Sequence, residues 1–257
     1  MQNKKPIIII SILCVIALGL GYWVGLPKEG PEGGVGNSGG GPKEPEFLKQ
    51  GLVAYYPFNG NAKDESGNGN DGEVNGATLV DGRNGNSNSA YNFDGIDDYI
   101  DLAPPPLTSN KALTVLFCAK LDRSKKNRNY LIDLRNSSSH GKTLSLSHNG
   151  YGDGKISFAS YGLKWLRGSI EVPVSQWNFI ALSYNQKTKK VNTYINGEMD
   201  IDEVYDELAV EDYATRIGAS VRGGSMLKGS IDDIRIYNRA LSEAEVKALY
   251  EFEKVKP

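Results

Sequence analysis

Two histidines, two cysteines and 31 carboxylates are the side chains of this 257-residue chain whose chemistry suits catalysis or metal binding. A nucleophilic triad needs a base beside an activated hydroxyl. His140 and His148 lie in or beside Ser/Gly/Asn-rich turns, with no G-x-S-x-G sequence near them, and read as incidental surface histidines. Glycoside hydrolysis needs two carboxyl groups about 5–9.5 Å apart on one cleft. The densest acidic run, Asp202-Glu203-Val204-Tyr205-Asp206-Glu207, reads as a solvent-exposed loop, and Asp97, Asp98 and Asp101 as the solvated face of a strand. No catalytic residues are expected. Calcium suits the oxygen donors better, because Ca²⁺ takes about 6–8 hard ligands mixing carboxylates with carbonyls of irregular backbone. Asp64 opens such a segment, the Gly/Asn-rich loop Asp64–Gly72.

Aromatic rings flanked by polar groups are the other chemical feature. Trp165, Tyr161 and Tyr151 share a stretch with Lys164 and Arg167, a composition suited to holding sugar rings. The segment Tyr161–Arg167 reads equally well as a hairpin with Trp165 buried. Trp177 begins the most apolar strand of the second half and is assigned to the core.

These residues need a scaffold, and its class follows from patterning. From about Leu48 short alternating runs are punctuated by turn residues, the mark of an antiparallel sandwich or barrel. Strands are expected at Val53–Phe58, Ala90–Phe93, Tyr99–Leu102, Leu113–Leu121, Tyr130–Leu134, Thr143–Ser147, Lys155–Ser160, Leu163–Glu171, Trp177–Tyr184, Val191–Ile195, Thr215–Ile217 and Leu227–Tyr237. So many strands need two sheets. Asn196-Gly197 supplies the positive φ angles of a two-residue hairpin turn. One helix is expected over Ser242–Phe252, with Ser242 as N-cap, Glu245 completing a capping box, and Val246, Leu249 and Tyr250 as the apolar stripe.

The N-terminal residues differ in kind. Ile7–Leu26 is a run of twenty uncharged residues, long enough to cross a hydrocarbon core of about 30 Å. A cleaved signal peptide is the rival reading, but its apolar core is shorter, about 7–15 residues. Lys4 and Lys5 place residues 1–6 in the cytoplasm, with Tyr22 and Trp23 at the far interface. Residues 1–26 are therefore read as a stub and signal anchor, so that the lipid bilayer is a partner through residues 7–26. Residues 27–47 form a Gly/Pro-rich tether, and 48–257 one folded domain outside the cytoplasm. Cys14 in the membrane and Cys118 in the domain cannot meet, so no internal disulfide is expected. A net charge of −2 gives no reason to expect nucleic acid as a partner.

Several separated segments carry a resemblance. Gly51–Gly60 (GLVAYYPFNG), Asp64–Gly72 (DESGNGNDG), Phe93–Ile100 (FDGIDDYI), Trp177–Tyr184 (WNFIALSY), Tyr194–Gly197 (YING) and Lys228–Ser242 (KGSIDDIRIYNRALS) resemble the laminin-G-like, concanavalin-A-like jelly-roll family, in order, across Leu48 to Phe252. The resemblance implies an all-β two-sheet jelly roll closed by a short helix. It also implies that the Asp64 loop lies close to the last strand, so that Asp233 can join Asp64 at one calcium ion with backbone oxygens around Asn59, Gly67 or Asn70. Alternation selects Asp233 over Asp232: if Ile231 faces the core, Asp233 points inward with it and needs a partner. Pairing of Asp233 with Arg235, or capping of a loop, is the competing role. Where family members often carry Trp, this chain has Cys118, which leaves volume for neighbours to fill. The fold hosts lectins, adhesion modules and glycosidases alike. The reading is a membrane-anchored binding module for glycan or an extracellular protein, with a structural or adhesive domain as the alternative and a glycoside hydrolase as the poorest fit.

Overall fold

In this computed structural model the described residues are 46–102, 112–122, 129–135, 144–148, 152–160, 164–205, 214–220 and 224–255, all within one compact unit, Gly40–Pro257. The N-terminal apolar run, the tether up to residue 45, Tyr151, Tyr161, His140, Asp206 and Glu207 lie outside the described residues, and the tether's last two residues open a 3-10 turn, Glu46–Lys49. Among the described residues no helix is long and apolar enough to cross a membrane.

The strands are β1 (Leu52–Tyr56), β2 (Gly72–Asn75), β3 (Thr78–Val80), β4 (Ala90–Asp94), β5 (Tyr99–Leu102), β6 (Ala112–Leu121), β7 (Asn129–Arg135) and β8 (Leu144–His148). They continue with β9 (Lys155–Ser160), β10 (Trp165–Glu171), β11 (Trp177–Asn185), β12 (Lys190–Ile195), β13 (Glu198–Val204), β14 (Ala214–Ile217) and β15 (Lys228–Tyr237), followed by helix α1 (Glu243–Val255). One sheet runs β13-β12-β11-β6-β15-β4-β3, with β1 also pairing β15, and the other runs β10-β9-β8-β7-β14-β5-β2. Every pairing is antiparallel. The expected two-sheet sandwich with a C-terminal helix is thus the fold observed. Three strands were not among those expected: β2 (GEVN) is too polar to announce itself, β3 (TLV) spans only three residues, and β13 (EMDIDEV) is acidic enough to read as a loop at its end.

Two layers of apolar packing explain which runs alternate and which do not. Between the sheets lie Tyr56, Phe58, Phe93, Phe117, Phe158, Tyr184 and the isoleucines of β15, all buried. On the outer side of the β6–β11 sheet, Leu116, Cys118, Phe179, Tyr194 and Tyr237 pack against Leu48, Leu241, Val246 and Leu249. The middle strands β6 and β11 are therefore covered on both faces and read as continuous apolar runs. Helix α1 starts as expected: Ser242 N donates to Glu245 Oε2 at 2.8 Å, and Glu245 N donates back to Ser242 Oγ at 3.3 Å. Val246 and Leu249 are fully buried, each contributing about 1.5–3 kcal/mol of apolar burial that holds the helix on the sheet. Asn196 and Gly197 turn at φ of 51° and 82° between β12 and β13, the expected hairpin.

A bulge in β15 decides where its charged residues go. Asp232 pairs with Cys118 and Arg235 with Leu116, so β15 carries one residue more than β6 between those points, and Asp233 takes φ of 51°. Ile231, Ile234 and Ile236 still face the inner core. Simple alternation, which turned Asp233 inward with Ile231, fails at the bulge, and Asp232, Asp233 and Arg235 all join the helix side.

Candidate functional site

The charged residues displaced by the bulge form a buried network. Asp233 accepts from Tyr55 Oη and from Arg83 Nε, each at 2.9 Å. Arg83 also donates to Glu253 through both its carbonyl and its carboxylate, and Glu253 is ion-paired to Arg235 as well. The Arg235 guanidinium lies 4.2 Å from the centroid of the Tyr55 ring. Asp233 therefore pairs with Arg83, while the Arg235 guanidinium reaches the Glu253 carboxylate on the helix. Neither Arg83, in a Gly/Asn-rich turn, nor Glu253, a carboxylate that continues the Val246/Leu249/Tyr250 stripe by one turn, stood out in the sequence. Gly82 lets that turn approach, because a Cβ there would sit 2.4 Å from Ser89 Oγ and 2.9 Å from Asp232 Oδ2.

Asp64 lies in a different environment. Its Oδ1 accepts from Tyr55 N at 2.9 Å and Ser66 N at 2.8 Å, and its Oδ2 from Asn70 N at 2.9 Å. Burial alone would raise its pKa, but these amides outweigh it and hold the carboxyl below the usual range. Asn70 donates its side chain to Val53 O and accepts from Tyr56 Oη, while Gly67 turns at φ of 90°. Asp64 and Asp233 are thus held at opposite ends of Tyr55, at its amide and its phenol.

Asn59 and Asp233 do meet, across a hollow of about 140 Å³ that Asn84, Asn86, Ser89 and Asp232 complete. Burial and the neighbouring Asp233 charge push Asp232 up to about 7. Carboxylates, amides and a hydroxyl are the hard oxygen donors that calcium takes. The residues present therefore fit an ion at Asp232, Asp233 and Asn59, with Asp64, Gly67 and Asn70 serving the adjacent loop. Asp94, Asp97 and Asp98 also approach one another, but Asp98 Oδ2 accepts from Asp94 N and Asp94 Oδ1 from Ile96 N, the hydrogen bonds of a tight turn. Asp98 is buried and Asp101 is bridged by Arg216, so only Asp97 is the free solvated carboxylate expected of all three.

Trp165 is the one exposed aromatic ring among the described residues, 36% accessible. Leu166 enters the inner core, so Trp165 and Arg167 point away from it, and Asp153 accepts from Arg167 Nε at 2.6 Å beside them. β9 and β10 pair antiparallel as the hairpin alternative requires, but Trp165 is not buried in it. Trp177 packs against the helix-side core, as expected. His148 is buried, where desolvation lowers its pKa, instead of lying at the surface. The acidic run is half strand: Asp202 and Glu203 belong to β13, with Asp202 paired to Lys190 at 2.7 Å.

A larger cavity, about 340 Å³, opens on the helix side of the sheet between β11 and α1, with Cys118, Trp177, Phe179 and Tyr250 on its walls. The volume left by the small Cys118 side chain is not filled by its neighbours.

The sequence profile of the concanavalin A-like lectin/glucanases superfamily matches residues 93–247. A search of curated proteins gives no match. Among solved structures, domain 4 of AbnA, a GH43 extracellular arabinanase from Geobacillus stearothermophilus in complex with arabinotriose, superposes with a TM-score of 0.63 at 24% identity, covering 77% of this chain and 98% of that one. Trypanosoma rangeli sialidase gives 0.62 at 15% identity, over 79% of this chain and 33% of its own. The binding domain of botulinum neurotoxin serotype D gives 0.60 at 18% identity, over 80% and 51%. At these identities the likeness is one of fold.

Proposed function

We propose that this chain, which belongs to the concanavalin A-like lectin/glucanases superfamily, is a non-catalytic carbohydrate-binding module steadied by one calcium ion and held outside the cytoplasm by its apolar N-terminal run. The observation that carries the reading is Trp165, an exposed indole on edge strand β10, flanked by the Arg167–Asp153 pair and by Lys164. A flat ring, 36% accessible and with polar neighbours, suits the apolar face of a sugar. A domain of the same fold that binds arabinotriose, in the arabinanase, supports the ligand class.

Among the described residues, two of the carboxylates weighed for catalysis are held in ion pairs, which supports a binding role: Asp202 is paired with Lys190 and accepts from Asn192, and Asp101 is paired with Arg216. Calcium in the hollow at Asp232, Asp233 and Asn59 would bring positive charge to two crowded carboxylates without taking part in chemistry.

A glycan array probed with the full chain, with and without calcium, tests the reading. Binding to at least one glycan class that falls tenfold or more in Trp165→Ala is expected. An array that stays blank, with the same protein capturing an extracellular protein partner, would favour the adhesive alternative.

A further inference from the structure

We propose that the cavity between β11 and α1 is a second binding site, for a single neutral pyranose ring, on a different part of the domain from Trp165 and independent of it. The cavity's walls are set by strand geometry. Trp177 and Phe179 lie two apart on β11 and project to the same side, Phe179 is paired across the ladder with Cys118, and Tyr250 from the helix packs against Phe179, 5.6 Å between ring centroids, to extend that wall. Cys118 is the reason space remains, because its side chain ends where a larger residue would meet the helix. Burial pushes its thiol well above the usual pKa, so it serves as a small apolar floor and not as a nucleophile.

The charges around the cavity select a neutral ligand. Arg83 is committed to Asp233 and Glu253, and Glu253 in turn to Arg235, so the buried groups satisfy one another. Lys254, at the rim, is exposed beside Glu251 at 3.8 Å. Neither a carboxylate nor a phosphate finds an uncommitted guanidinium inside. Hydrogen-bonding capacity does remain at the mouth, where Gln176 is exposed, while the buried Asn178 lines the wall and accepts from Asn196 Nδ2 at 3.2 Å. Three aromatic rings, an apolar floor and side-chain amides suit a ring with one C–H face and a rim of hydroxyls. The volume of about 340 Å³ is at the small end of ligand pockets, which run roughly 300–1,000 Å³, and matches one sugar residue better than a chain.

The test titrates the full chain, in a detergent without sugar headgroups, with methyl glucoside, galactoside and mannoside, and in parallel with glucuronate and galacturonate, followed by saturation-transfer NMR. At least one neutral glycoside should bind saturably, and more tightly than either uronate. Measured in the Trp165→Ala background, where the first site is silent, Cys118→Trp, which fills the cavity, should weaken that binding at least tenfold. Should Cys118→Trp fail to fold by circular dichroism, Gln176→Trp, which obstructs the exposed mouth, decides in its place. The proposal is overturned if no neutral glycoside binds, if a uronate binds as tightly, or if binding survives the filled or obstructed cavity. Loss in Trp165→Ala alone would also overturn it, and would leave the Trp165 reading standing.

Discussion

Asp64 and the Asp232–Asp233 pair lie on either side of the same tyrosine and have opposite electrostatics. Around Asp64 the chain supplies three backbone N–H groups, which hold a single carboxylate ionised without any counter-ion. At the bulge, the carboxylates Asp232, Asp233 and Glu253 face the guanidiniums Arg83 and Arg235, three negative charges against two positive. One negative charge is therefore in excess in a buried place. A carboxylate fully served by amides needs nothing more, whereas one short of positive charge must take up a proton or a cation.

The largest effect should come from removing the group on which both arginines converge. Glu253→Ala leaves Arg83 and Arg235 without their shared acceptor in a buried site, a loss expected to destabilise by about 3–5 kcal/mol. Urea unfolding measures it, and a change under about 1 kcal/mol would mean the network is far better solvated than its burial indicates. Next is calcium. An ion that binds only the folded state adds about 2.7 kcal/mol at a hundredfold excess over Kd. That is several degrees in Tm, because about 1 kcal/mol moves a domain of this size by roughly 2–4 °C. The shift between chelator and millimolar calcium should vanish in Asp233→Asn and persist in Asp64→Ala. The reverse pattern would place the ion in the Asp64 loop.

The contrast also separates what could be read in the sequence from what could not. Strand periodicity located β5 and β9 to the residue, and the capping box located the start of α1, because both are local properties of neighbouring side chains. Trp165 was visible as a ring among polar groups, although its exposure was not. The bulge was invisible: Ile231-Asp232-Asp233-Ile234 fits simple alternation only if nothing is inserted, and an aspartate that accepts a positive φ looks like any other. Arg83 and Glu253, separated by 170 residues, are brought together beside Asp233 only by the tertiary fold, which single-sequence patterning does not fix. The cavity beside Cys118 is likewise a property of packing across two strands and a helix.

A smaller effect isolates the other side of the comparison. Asp64→Ala withdraws the acceptor from the amides of Tyr55, Ser66 and Asn70 at a half-buried position, a loss of about 2 kcal/mol. It should appear equally in chelator and in calcium. Increased protease cleavage within residues 59–72 should accompany it, and an unchanged Tm would show that water replaces the carboxylate freely.

The smallest effect, and the one that tests the sign of the argument, is the response to pH in chelator. Asp232 is held up to about 7 by burial and by Asp233, against an unfolded value near 3.8, so between those limits the folded state binds more protons than the unfolded. Stability from this group is therefore gained as pH falls from 8 toward 5. Asp64, held below the usual range, behaves in the opposite way: its contribution is full above about pH 4 and is lost as pH falls through its folded value. His148, buried with a lowered pKa, loses stability as pH falls below about 6.5 and so opposes Asp232 in the same window. The difference in Tm between parent and Asp232→Asn at pH 8 and pH 5.5 removes the His148 contribution from the comparison. The variant should be the more stable of the two at pH 8, with the gap closing at pH 5.5. In millimolar calcium the dependence should flatten, because the ion holds Asp232 ionised. A parent that tracks Asp232→Asn at both pH values in chelator would mean that Arg83 alone balances the pair and that the hollow needs no cation.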